Sequence, residues 1–212
     1  IHLLALQLMA LQGLLGAFDT IYHHELTESL PSRLTATKEL WIHSIRASLY
    51  SIIFIGLSYW QWHGVWAIVL FTLFGIEIVL TLWDFVTEDK TRLLPATERI
   101  THTVLAINGG AFIALLMVAA YEWVASPSAF YFVNQGYLSW FLVLCGIGVG
   151  LSGLRDAFAA YRLSKQTILF NHQEPFQFCA ESKTLLITGA TGFVGKLLVK
   201  ALITDGHTVL VL

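Results

Sequence analysis

Ionisable residues recur in this chain in a pattern able to hold metal ions. One stretch reads FDTIYHHEL followed by ATKELWIHSI, and a later one reads WDFVTEDKT followed by PATERITHTV. Superposing them pairs Asp19 with Asp84, His23 with Glu88, Glu39 with Glu98 and His43 with His102, with a shorter gap in the second copy. Each copy thus closes one helix with Asp-x-x-x-(His/Glu) and opens the next with Glu-x-x-x-His. Residues four apart share a helix face, so two such hairpins about a pseudo-twofold axis would bring eight donors together. Carboxylates mixed with imidazoles on four facing helices are the chemistry of a two-iron or two-manganese centre, and ligand type also admits zinc. The expected metal ligands are therefore Asp19, His23, Glu39, His43, Asp84, Glu88, Glu98 and His102.

Other readings stay open at this point. Ferritin-like bundles space their Glu and His by three, not four, and no H-E-x-x-H signature is present. His43 and His102 alone would suit a bis-histidine haem. In the plainest alternative, His23, His24 and Glu25 are solvated at a membrane edge and Lys38, Arg92 and Arg99 pair with the acids. Against it, ionisable groups near membrane segments are costly and tend to mark function. Glu77 lies seven residues before Asp84 on the same face, as a proton-path group, a support for the ligands or a helix–helix hydrogen bond.

These residues need long helices to position them. Hydrophobic residues make up 56% of the 212 and charged ones only 12%, about half the charge of a soluble domain. Five runs are apolar enough to cross a membrane, which takes about 20 residues: 1–22, 40–60, 65–85, 100–124 and 137 to about 163. Aromatic residues cluster at their ends (Trp60, Trp62 and Trp66; Tyr121, Trp123 and Tyr131), where amphipathic rings suit the headgroup region. Arg33, Lys38, Arg46, Lys90, Arg92, Arg99, Arg155, Arg162 and Lys165 fall at one side of these spans, while 61–64 and 125–136 carry no Lys or Arg. The positive-inside rule makes the cationic side cytoplasmic. The expectation is a multi-pass protein of a bacterial-type inner membrane, with everything after residue 163 in the cytoplasm.

From Lys183 the pattern changes to KTLLITGATGFVGKLLVKALITDGHTVLVL. A short apolar strand, a glycine-rich turn, a helical run and a second strand make a β-α-β unit. Gly189 permits the tight turn, Gly192 lets backbone amides approach a pyrophosphate, and Gly195 lets helix and strand pack closely; the helix N-terminus then faces the phosphates. The stretch TGATGFVG, with GHTVLVL after the helix, resembles the extended short-chain dehydrogenase/reductases of the NAD-dependent epimerase/dehydratase type. The resemblance covers about the last thirty residues. It implies NAD or NADP held by Gly189, Thr191, Gly192, Phe193, Val194 and Gly195. The family's Tyr-x-x-x-Lys pair has no counterpart in these residues, nor has the position that separates NAD from NADP.

The expected fold is thus an all-α transmembrane bundle of about five helices (1–163), a linker (164–182) and the first β-α-β unit of an α/β Rossmann domain (183–212). The chain reads as a piece of a longer protein. Cys145 and Cys179 read as unpaired thiols. A net charge of −2 argues against nucleic acid, which needs clustered Lys and Arg. The expected partners are the bilayer, a dinucleotide and a lipid or quinone-like substrate. The expected function is a membrane-anchored oxidoreductase or epimerase, with a non-catalytic dinucleotide sensor as the alternative. A transporter fits less well, because no pair of broken helices is present.

Overall fold

The computed structural model describes residues 1–171 and 182–212. They form two units, residues 1–167 and 168–212, each described by itself.

The first unit contains five helices long and apolar enough to cross a membrane. Helix α1 (His2–Asp19) passes without a break into a wider π-wound segment, Thr20–Thr27. Two short 3₁₀ turns follow, Leu30–Ser32 and Leu34–Ala36, and then α2 (Thr37–Tyr59). Helices α3 (Val65–Thr91) and α4 (Ala96–Val124) are separated only by 92–95, where Pro95 lacks the N–H to continue a helix and caps α4 instead. Helix α5 (Tyr137–Asn171) is the longest.

All five spans are found where the hydrophobic runs place them, and each extends beyond one of its expected ends. Helix α3 runs past Phe85 to Thr91, and α4 begins at Ala96 rather than Ile100. The added turns are polar ones carrying Glu88 and Glu98, which hydropathy alone ends too soon. Helix α5 continues past residue 163 to Asn171, so the expected linker at 164–182 is helical at its start, and its remainder, with Cys179, lies outside the described residues.

The packing follows the repeat. Helix α1 lies chiefly against α4, and α2 against α3. Exchanging the two hairpins turns one of these pairs into the other, so the halves interlock rather than each packing on itself. Leu6, Met9, Ile53, Leu70, Phe74, Phe112 and Leu116 fill the core between them. The outward faces keep large apolar residues exposed, among them Ile68, Val79, Ile107, Leu144 and Leu151, as lipid-facing helices do. Helix α5 approaches α2 through small residues: a Cβ at Gly153 would stand 2.7 Å from Cβ of Ala47, and one at Gly146 would stand 2.6 Å from Cγ1 of Ile55. Mid-bundle, Asn108 donates to Gln12 Oε1 at 2.7 Å and to the Leu8 carbonyl at 2.9 Å.

At the end without Lys or Arg, the two connections read as plain loops pair instead. Strand β1 (Trp60–Trp62) runs antiparallel to β2 (Phe130–Phe132). Trp62 is buried and donates its indole N–H to the Gly56 carbonyl at 3.2 Å, and the Ser128 hydroxyl accepts from the first amide of α3 at 3.1 Å.

In the second unit, β3 (Thr184–Ile187) and β4 (Thr208–Val211) are parallel neighbours joined by α6 (Phe193–Thr204). The expected β-α-β unit is present. It is one parallel pair with its crossover helix, not a complete doubly wound sheet.

Candidate metal centre

The four helix ends that carry the repeated acids and histidines converge. Each histidine that opens a helix reaches the aspartate that closes a helix of the other hairpin: His43 Nε2 is 3.1 Å from Asp84 Oδ2, and His102 Nε2 is 3.2 Å from Asp19 Oδ2. These two contacts are repeat mates. Glu88 lies between the halves, 3.4 Å from His102 Nδ1 and 3.9 Å from His43 Nε2. Asp19, Glu39, Asp84, Glu88 and Glu98 are all buried.

Three groups bring one donor atom from each of three residues within 4.8 Å of one another: Asp19–His24–His102, Glu39–His43–Glu88 and Glu88–Glu98–His102. Six of the eight expected ligands are among them, and Glu88 and His102 each belong to two. The other two stand in supporting positions. His23 holds Asp19 through Nδ1 at 2.8 Å, and Asp84 is gripped by Arg46 at 2.6 Å.

His24 is the residue that the repeat does not reveal. Its repeat mate is Asp89, which is exposed, whereas His24 is buried. The difference is the winding. Thr20–Thr27 is π-wound, with i to i+5 spacing, so residues four and five beyond Asp19 both turn toward it. His24 Nε2 comes to 3.5 Å from Asp19 Oδ2 without a hydrogen bond, and its ring stacks on His43 with centroids 4.6 Å apart and planes 9° from parallel. The signal in the sequence is the doubled histidine, one of which falls outside α-helical register.

Arginines complete the cluster. Arg92, which the plainest reading of the sequence pairs with the acids, donates to both Glu98 oxygens at 2.6 and 2.8 Å and to Glu39 Oε1 at 3.0 and 3.3 Å. Glu39 and Glu98 are repeat mates, so the guanidinium joins equivalent points of the two halves. Burial works against its charge, but the bonds to Glu98 and Glu39 outweigh that and hold it above its ordinary pKa. Arg46 bonds Asp84 and, at 3.4 Å, Glu77, which also accepts from Thr81 at 2.6 Å. Of the three cations expected to pair with the acids, only Arg92 does so here: Lys38 stacks over Trp83 and Arg99 is exposed.

The cluster holds more carboxylates than guanidiniums. Asp19, Glu39, Glu77, Asp84, Glu88 and Glu98 face two guanidiniums, so ionised carboxylates here would carry up to four negative charges for protons or bound cations to offset. Uncompensated buried charge costs several kcal/mol per ion, on the order of the whole stability of a domain. Moreover, Nε2 of His23 and His24, Nδ1 of His43, Oε2 of Glu39 and Oδ1 of Asp84 are buried without a hydrogen-bond partner. Two divalent cations would supply the missing charge and take such donors. Protonating His24 and His43 together would set two positive rings face to face, whereas protonating His102 or only one of that pair would not.

In the second unit the glycines form a tight turn. Gly189 has φ +74°, a Cβ on Gly195 would collide with the Gly189 carbonyl, and one on Gly192 would stand 3.3 Å from that same oxygen. Gly192 caps α6, whose first turn has no side-chain cap among the described residues. Thr191 and Val194 are exposed beside the turn; the side chain of Phe193 lies outside the described residues. No family model, curated protein or solved structure matches this chain.

Proposed function

We propose that this is a membrane-embedded oxidoreductase that holds divalent metal at the cationic end of its helix bundle. The observation that carries this reading is the convergence of seven buried or half-buried donors from four helix ends, with more carboxylate than arginine and with orphaned imidazole nitrogens. Hard carboxylates mixed with imidazoles favour iron or manganese. Asp19, His24 and His102 would hold one ion; Glu39, His43, Glu88 and Glu98 would hold the second. Redox-active iron or manganese would supply one-electron chemistry. The protein supplies buried donors held in fixed positions.

The β-α-β unit supports the rest of the proposal. Its glycine turn and helix N-terminus suit the pyrophosphate of NAD or NADP, as the resemblance to extended short-chain dehydrogenase/reductases implies. Leu186, Leu210 and Val211 are exposed on the strands, apolar faces that a wider parallel sheet covers. With the cationic end in the cytoplasm, a dinucleotide domain following α5 would work there on a lipid or quinone-like substrate. The second reading, a dinucleotide sensor that regulates the bundle, shares the glycine turn and differs in requiring no turnover.

The test is metal analysis of the purified full chain. Iron or manganese at one to two equivalents supports the proposal, as does its loss in the double variant His43→Ala/His102→Ala. Background metal in both proteins would return the cluster to interfacial polarity.

A further inference from the structure

The metal positions are not equivalent, because an arginine sits on one of them. Arg92 engages Glu39 at 3.0 Å, Glu98 at 2.6 Å and Glu88 at 3.6 Å. Those are carboxylates of both the Glu39–His43–Glu88 and the Glu88–Glu98–His102 groups. Among the described residues, the Asp19–His24–His102 group has no ion pair with an arginine, and its His24 Nε2 is buried without a hydrogen-bond partner.

We propose that the centre loads in order: the first divalent ion enters at Asp19, His24 and His102, and the second enters only when Arg92 leaves Glu39 and Glu98. This rests on the reading of the cluster as a metal centre. The guanidinium is a built-in cation that keeps the second position closed and charge-compensated until metal replaces it. Like charges repel strongly in a poorly solvated site, so a divalent ion among the same carboxylates expels the guanidinium.

The chain around Arg92 permits the exchange. Arg92 follows the last turn of α3 with extended backbone, φ −157° and ψ 161°, so its side chain can swing without unwinding a helix. An alternative seat is already close: Glu28 Oε2 is 3.9 Å from Arg92 Nη1, at the rim of the cluster, where Arg33 holds it at 2.7 Å. Neither arginine of the cluster is repeated. Superposition places Thr27 opposite Arg92 and Leu105 opposite Arg46, so the arginines are what make two symmetric half-sites unequal.

Manganese(II) titration of the chelator-stripped full chain, with free ion read by electron paramagnetic resonance, tests the order. Wild type should bind one equivalent tightly and a second at least tenfold more weakly. Arg92→Gln should bring the second to within a few-fold of the first. Arg92→Lys, which keeps the charge but loses the fork that bridges Glu39 and Glu98, should fall between them and decides the matter if Arg92→Gln does not fold. Glu28→Gln should weaken the second equivalent and leave the first unchanged. Two equal tight equivalents in wild type, or a second equivalent that Arg92 substitution leaves unchanged or abolishes, would overturn the ordered loading while leaving a metal centre in place. No manganese bound by any of these proteins would remove the metal centre itself, and the ordering with it.

Discussion

Single residues decide whether the cluster is a site or merely a polar patch. His24 and Asp89 occupy equivalent places in the repeat, yet only His24 turns inward. His24→Ala should therefore lower metal affinity at least tenfold, the scale of losing a supporting interaction at a metal site, while Asp89→Ala leaves it unchanged in the same titration. Arg46 makes a different point. Removing one partner from a buried ion network leaves the other charge uncompensated, at a cost of about 3 kcal/mol. Arg46→Met should lower thermal stability by that order, and adding Glu77→Met should recover only a minor part of it because Asp84 still lacks its guanidinium partner, a double-mutant comparison readable from melting curves in detergent. The eight repeated donors were legible because an Asp-x-x-x-(His/Glu) and Glu-x-x-x-His pattern assumes only α-helical spacing. His24 was hidden because π-winding changes that spacing. Which of Lys38, Arg92 and Arg99 meets the acids was hidden because nothing in a chain says whether a given cation near a helix end faces solvent or folds back.

Elements transmit these residues to a common centre. The spans were readable from hydropathy, but the polar end turns of α3 and α4 were not, since the same acids that lower hydropathy there are buried in the cluster they build. The β1–β2 clasp was equally invisible, being three residues on each side with no strand signal longer than an aromatic cluster. Among the described residues, helix α5 contributes no member of the three donor groups, and it is pinned to α2 by close small-residue contacts. Gly153→Val should clash with Ala47 and lower the melting temperature, whereas Gly148→Val, where no other atom stands within 4 Å, should not. In the second unit Gly192 and Gly195 separate binding from folding. Gly192→Val should abolish dinucleotide binding by calorimetry with the unit still folded, because a side chain there narrows the approach to the turn without a backbone collision. Gly195→Val should lose the fold of the unit as well. Binding that survives Gly192→Val would contradict the phosphate reading.

At the scale of the whole molecule, five helices with cations at one end and an aromatic-rich clasp at the other define a direction across the bilayer. In a variant with Cys145→Ala and Cys179→Ser, a single cysteine at Gln61 or Pro127 should react with an impermeant thiol reagent in whole cells, and one at Lys165 should not; the opposite pattern would invert the proposed topology. The central claim, that the converged helix ends hold divalent metal, is tested most directly by anomalous diffraction from crystals of the full chain grown with manganese(II). The account predicts an anomalous peak within bonding distance, about 2.0–2.5 Å, of Asp19, His24 and His102, and a second among Glu39, His43, Glu88 and Glu98 in molecules where Arg92 has turned toward Glu28. A centre without anomalous density, with Arg92 still bridging Glu39 and Glu98 at saturating manganese, would contradict it.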